Sequence, residues 1–364
     1  MQRFSSNSAR IPGIDVLRVV LSFCVVVIHV LFYGGFRTHA DFNNPGFYVL
    51  WFLGITVVCT VNCFAMISGF VMYGRQVKYT TILRLLLTAL YHGLFITAVF
   101  HFCLPDAVSA ANWIQAVFPV SQYEYWYLTA YFGVFFLAPL VIRGMEALSK
   151  KQATLLVITL IAVFSVLPTV TGTDAFGLSL GYSVLWILVM FIIGTYLRKY
   201  SHTLIIKKTM LLGVFAGCIL ISCLGMLASV LDPSINGMML VEYTSPTLVI
   251  AAMAVLLLFS DLDISTPVQK ASVFCGPFVF SIYLLHEHPL VREHIIRDRF
   301  VGALDLPVVL QVAAVLVIAA GIWLTCFALE WVRHWIFRFL GVDMLLQRLE
   351  KRLQDWSCDS PEPT

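Results

Sequence analysis

Runs of about 20 mostly apolar residues, the length a helix needs to cross a bilayer, recur along nearly the whole chain and constrain its fold more than any other feature. They lie at 14–33, 47–73, 80–103, 125–143, 153–170, 180–197, 208–230, 241–259, 273–291 and 306–328. Lipid offers no hydrogen bonds to a bare backbone, so such runs must close their own as helices. The expected fold class is all-α: a polytopic integral membrane protein of about ten transmembrane helices. Composition agrees, since 60% of the 364 residues are hydrophobic and only 12% are charged, where a soluble domain carries about 25% charge. No small-residue cleavage site follows the first run, which reads as a retained helix rather than a signal peptide.

With the N-terminus placed inside, all 23 lysines and arginines except Arg37, Arg292, Arg297 and Arg299 fall on the inner side. By the positive-inside rule both termini are expected in the cytoplasm, with the protein in the cell (inner) membrane. The chain then divides into a cytoplasmic segment (1–13), a membrane domain (14–328) and a cytoplasmic C-terminal segment (329–364). In that last segment Leu345, Leu346, Leu349, Leu353 and Trp356 share one helical face, as in a helix lying on a membrane surface. The closing SCDSPEPT reads as disordered. A net charge of only +3 leaves no basic surface for nucleic acid. The nine cysteines show no CxxC or Cys/His spacing, so neither a disulfide framework nor a metal site is expected. The sequence has no Walker motif, no GxGxxG fingerprint and no soluble catalytic domain. Any chemistry therefore belongs inside the membrane domain.

Titratable groups in lipid are costly, face the bundle interior and often mark function. Arg18 and His29 stand eleven residues apart on the first run. At about 100° per residue they return to one helix face, separated by about 16 Å along the axis. They cannot touch, but one elongated ligand reaches both. A guanidinium near the inner rim suits a phosphate. A neutral imidazole in the outer half, with an ordinary pKa of about 6.5, suits proton abstraction. Taken singly, Arg18 also reads as a snorkelling anchor and His29 as a packing residue. Asp15 either pairs with Arg18 or caps the helix.

The ninth run carries SIYLLHEHPL, with His286, Glu287 and His288 ahead of Pro289. His286 falls at roughly the depth of His29, so the two can wall one site, whereas His288 reads as a loop-end residue. His92 and His101 on the third run read as packing or interfacial. The outer VREHIIRDRF mixes arginines with Glu293, His294 and Asp298. It reads either as a self-paired, solvated loop or as an anion-holding rim for a phosphate or acidic sugar.

Four segments together resemble acyltransferase family 3, multipass membrane proteins that move acyl groups onto sugars of cell-surface glycans. Arg18 and His29 are similar to its first-helix signature of a basic residue, ten others and the catalytic histidine. FAMISGFVM (64–72) resembles its Ser-Gly-Phe/Tyr segment, and YWYLTAYFGVFFLAPLV (125–141) its Trp-Tyr-Leu…Pro-Leu helix. SIYLLHEHPL resembles its Ile-Tyr-Leu-x-His signature, carried at Ile282, Tyr283, Leu284 and His286. The resemblance is to the smaller, single-domain members and spans residues 12–328. Two departures stand out. The family's Arg-x-x-Arg pair is reduced to Arg84 with Thr81 in the first place, near Arg75 and Lys78. The histidine common before the tryptophan is replaced by Glu124 and Tyr125.

The resemblance implies a membrane O-acyltransferase, acetyl-CoA dependent in the first instance. It would move an acyl group from cytoplasmic acyl-CoA to a hydroxyl of a cell-surface polysaccharide or lipid-linked glycan. Its expected partners are acyl-CoA, that glycan or lipid-linked saccharide acceptor and membrane lipid, with no permanently bound cofactor and no metal. His29 and His286 are the catalytic residues it points to, with His29 a general base or a transient acyl carrier. Arg18, Arg84, Arg75 and Lys78 would hold the donor; Asp15, Ser68, Glu124, Trp126, Tyr283 and Arg292 would line the substrate site. His286, Tyr283, Ser68 or Asn62 would donate to the thioester oxyanion. A transporter of polysaccharide or lipid-linked sugar is the rival class, and it predicts internal repeats and a continuous polar pathway. A membrane assembly or sensor component is the third.

Overall fold

The computed structural model describes residues 10–203 and 206–358, and among these no strand occurs. The first half contains α1 (Pro12–Tyr33), α2 (Pro45–Val58), α3 (Thr60–Met72), α4 (Tyr79–Cys103), α5 (Ala110–Val117), α6 (Trp126–Ala147), α7 (Lys150–Ile161) and α8 (Leu167–Thr171). The second contains α9 (Val184–Tyr200), α10 (Lys208–Leu231), α11 (Pro246–Ser260), α12 (Thr266–Cys275), α13 (Val279–His286), α14 (Pro289–Val291), α15 (Val308–Phe339) and α16 (Val342–Cys358). Proline opens α1, α2, α11, α12 and α14, where its missing N–H costs no helical hydrogen bond.

Among the described residues, 9 helical stretches are long and apolar enough to span a membrane, with α2–α3, α7–α8 and α12–α13 each counting as one. The protein is thus an all-α polytopic membrane protein. The remaining predicted run holds α11, whose 15 residues rise only about 22 Å against an apolar core of about 30 Å. Leu248, Val249, Ala251 and Ala252 of α11 are fully buried, so protein covers much of this short helix. The predicted run 306–328 extends as helix to Phe339, and the run 273–291 stops at His286. Pro289 causes that stop: it disfavours helix at the residue before it, and His288 is extended at φ −53°, ψ 130°.

The most extensive helix contact is that of α3 with α9, where two glycines let backbones meet. A Cβ on Gly69 would lie 2.0 Å from the Phe191 carbonyl, and one on Gly194 would lie 2.0 Å from that of Met66. Small residues of this kind are how helices associate where lipid supplies no hydrophobic drive. Asn62 on α3 locks the same region: its Oδ1 accepts from Trp186 Nε1 (2.9 Å) and its Nδ2 donates to the Tyr243 carbonyl (2.8 Å). With its oxygen and one amide N–H engaged between helices, Asn62 serves packing here. On the other side of the bundle, α15 is tied to α1 by Trp323 Nε1 donating to Ser22 Oγ (2.9 Å) and to α4 by His92 with Glu330 (2.8 Å). Arg333 completes that buried cluster by gripping both oxygens of Glu330.

Beyond α15, α16 turns back against the start of α4. Glu350 accepts from the Thr80 hydroxyl (2.6 Å) and backbone N–H (3.2 Å), and Arg84 pairs with Asp343. Leu346 is buried while Leu345, Leu349 and Leu353 stay partly or largely exposed. The Trp356 side chain and residues 359–364, within the segment read as disordered, lie outside the described residues, as do residues 1–9.

Candidate active site

The site forms where the last turns of α1 meet the end of α13. Val26, Val27, Val30 and Leu31 of α1 pack with Ile282 and Leu285 of α13 in one apolar cluster, which fixes the two helix ends against each other. His29 and His286 emerge from that contact with their rings 5.0 Å apart. His286 Nδ1 bonds the Ile282 carbonyl one turn back in its own helix, so that nitrogen carries the hydrogen. Its Nε2 is then an acceptor, and it lies 2.9 Å from His29 Nδ1. His29 must therefore donate through Nδ1, which leaves a lone pair on its Nε2. Among the described residues that Nε2 has no hydrogen-bond partner.

A carboxylate completes the arrangement. Glu287 Oε2 lies 3.1 Å from His29 Nδ1. Its Oε1 accepts from Arg292 Nη1 (3.0 Å) and from the Tyr33 hydroxyl (3.4 Å). Tyr33 is one turn beyond His29, its ring 5.5 Å from the imidazole, and Arg292 sits over the same ring at 5.2 Å. Sequence reasoning did not assign Glu287. The signal was there in an acid between two histidines at the end of an apolar run, but only the packing of the end of α13 against α1 brings that side chain to His29.

His288, read as a loop-end residue, is in fact 1% exposed. Its Nδ1 accepts from the Leu290 N–H (3.2 Å), and its Nε2 lies 3.3 Å from Glu124 Oε1. Burial pushes the Glu124 carboxyl up to about 7 and pushes the His288 imidazole down to about 3. Glu124 thus meets a histidine from the segment between α13 and α14. Beside them Tyr125 is fully buried, its ring 6.1 Å from Tyr283 and 6.3 Å from His288. Trp126 sits against Tyr182 at 4.5 Å and Tyr243 at 6.2 Å.

The remaining sequence candidates lie elsewhere or are otherwise engaged. Arg18 is exposed and within electrostatic reach of Tyr127 and Tyr131. Asp15 pairs with Arg10 rather than with Arg18, and it makes no cap, because Ile11 holds the N-cap position without a side-chain bond. Ser68 donates to the Phe64 carbonyl (3.0 Å) and meets the Tyr131 hydroxyl. Arg84 is bound to Asp343, Arg75 lies within reach of Arg198, and Lys78 is exposed at the N-cap of α4. In the loop between α14 and α15, Arg292 and Arg297 pair with Glu293, and Arg299 donates to the His294 carbonyl (3.1 Å). These contacts follow the self-paired reading of that loop. Arg292 alone reaches inward to the site.

In chemical terms, the arrangement offers one histidine nitrogen as an oriented base, a carboxylate to balance its charge, and buried hydroxyls beside it. In comparisons with known proteins, the family model described as an acyltransferase domain matches residues 11–342. No curated protein and no solved structure matches.

Proposed function

This chain belongs to acyltransferase family 3 and is a membrane acyltransferase, and we propose that it moves an acyl group, in the first instance acetyl, from cytoplasmic acyl-CoA to a hydroxyl of a cell-surface polysaccharide or lipid-linked glycan. The observation that carries this reading is the commitment of His29 Nδ1 to His286 Nε2, with Glu287 Oε2 3.1 Å away, which frees Nε2 to act as a base. His29 Nε2 takes the proton of the acceptor hydroxyl as its oxygen attacks the thioester carbonyl. The new C–O bond forms, the C–S bond breaks, and the imidazolium returns the proton to the departing thiolate. Glu287 offsets the imidazolium charge while it lasts, and Arg292 keeps the carboxylate in place.

The oxyanion of the tetrahedral intermediate needs donors. Tyr283 is the candidate best placed to supply one, since its hydroxyl is buried without a partner and its ring is 6.4 Å from His286. The nucleotide end of the donor is assigned to Arg18, with Arg75 and Lys78 nearby, on the cytoplasmic side of the cell membrane. That assignment rests on charge placement and on the family resemblance.

Labelled acetyl-CoA supplied to membranes containing the protein tests the reading directly. Label is expected in the glycan or lipid fraction with the wild type and to fall by about 10²–10⁴-fold, the usual contribution of a general base, in His29→Gln. Label that persists at the wild-type rate in His29→Gln moves the chemistry to another residue.

A further inference from the structure

Buried polar atoms in folded proteins are nearly all hydrogen-bonded, so a concentration of unpaired ones calls for an explanation. Among the described residues, the hydroxyls of Tyr125, Tyr127 and Tyr283 are all sealed from solvent without a partner, together with Glu124 Oε2. Two of these groups, the Tyr127 and Tyr283 hydroxyls, belong to a row that starts at Arg18. Tyr127 and Tyr131 stand one turn apart on α6, with parallel rings 6.5 Å apart, and Arg18 is within electrostatic reach of both. Tyr283 follows, its ring 6.4 Å from Tyr127, and His286 lies 6.4 Å beyond it. His29 ends the row 5.0 Å further on. The row therefore runs from an exposed guanidinium to the free imidazole nitrogen in nearly even steps, along a path that the α1 face alone spans in about 16 Å.

We propose that Tyr127 and Tyr283 bind the pantetheine arm of the donor as it runs from Arg18 to His29, the Tyr127 hydroxyl bonding one amide and the Tyr283 oxygen accepting from the N–H of the other, so that its own hydrogen stays free for the thioester oxygen. The inference rests on the acyl-CoA reading above and adds what holds the arm. A pantetheine arm is thin, and it carries two amides and one hydroxyl between its phosphate end and its sulfur. A wall of apolar side chains would leave those amides unpaired in a dry interior, at a cost in affinity. Phenol hydroxyls can donate to an amide carbonyl or accept from an amide N–H, and their rings line the path without charge. Tyr131 is already occupied by Ser68, so it shapes the entry rather than bonding the arm. A thioester lacking such an arm would gain nothing from these hydroxyls.

The test uses the purified full-length protein and titrates acetyl-CoA by calorimetry into the wild type and the Tyr127→Phe/Tyr283→Phe double variant. These substitutions remove two oxygens and keep both rings. Acetyl-CoA affinity is expected to fall about tenfold, in line with the loss of two neutral hydrogen bonds, while the melting temperature of the unliganded protein stays the same. Unchanged affinity overturns the proposal, because the hydroxyls then serve water alone. Weakened affinity with a lowered melting temperature also overturns it, since the tyrosines then act on the fold. Wild-type protein that does not bind acetyl-CoA overturns the donor reading itself, a result distinct from either.

Discussion

When His29 takes a proton at Nε2, its ring gains a positive charge in a nearly dry place, and a neighbouring negative charge lowers the cost. Glu287 Oε2, 3.1 Å from Nδ1, is that charge, while the bond to His286 holds the ring in the tautomer that exposes Nε2. Glu287→Gln keeps the shape and removes the charge. It is expected to lower kcat by roughly 10²-fold or more, as when a triad histidine loses its acid, with KM for the donor unchanged. Steady-state transfer by the purified variant, with its melting temperature as a folding control, measures this. Glu124 supports a second prediction at this scale. Burial raises its carboxyl to about 7, so the neutral form belongs to the folded state. Its contribution to stability is present in full below its ordinary value near 4.5 and is lost as pH rises through about 7. His288, facing it from the residue before α14, runs the other way: its depressed value means stability is lost as pH falls from 6.5 toward 3. Between pH 5 and 8 the wild type is expected to lose melting temperature relative to Glu124→Gln, since the amide cannot ionise. A constant difference across that range would show that Glu124 does not titrate there.

At the scale of elements, the two decisive features are a close contact and a break. The contact is the meeting of α3 and α9 at Gly69 and Gly194, where a methyl group has no room. Gly69→Ala and Gly194→Ala are each expected to cost about 1–3 kcal/mol, the usual range for overpacking, and to sum imperfectly because they share one interface. Gly144→Ala on α6, which would meet nothing within 4 Å, is the matched control and should not destabilise. Unfolding of the three variants in detergent compares them. The break is the end of α13. On a continuing helix, His286, Glu287 and His288 would fan out by about 100° each. With the backbone extended at His288, that residue leaves the helix to meet Glu124, while His286 meets His29 and Glu287 meets both His29 and the Tyr33–Arg292 pair. The residues of this segment were legible as a titratable cluster in the sequence. Their division of labour was not, because it depends on where the chain leaves the helix.

For the molecule as a whole, the number of crossings fixes the relation between the termini. The nine long stretches among the described residues would leave the ends on opposite sides, so the shorter α11 decides the matter. A helix of its 15 residues can cross with local thinning or with help from flanking chain, and burial among other helices removes the need for a full lipid-facing length. With α11 crossing, the count is even. Reporter domains fused in turn to the N-terminus and the C-terminus are then expected to be active on the cytoplasmic side in both cases. A C-terminal reporter exposed outside would mean that α11 does not cross, and would place α16 and its contacts with Thr80 and Arg84 on the other face.

The sequence by itself determined the fold class, because apolar runs of this length have no other stable form in lipid. It also determined the shared face of Arg18 and His29, which depends only on helical period. Family motifs carried the choice of His29 and His286. What the tertiary structure decided were the pairings between groups far apart in the chain. It set His29 against His286 and Glu287, Glu124 against His288, Asn62 against Trp186, and Asp15 against Arg10 in place of Arg18. The reason is physical: helical periodicity fixes the direction of a side chain from its own helix, while the partner it finds depends on how helices pack and where each one ends.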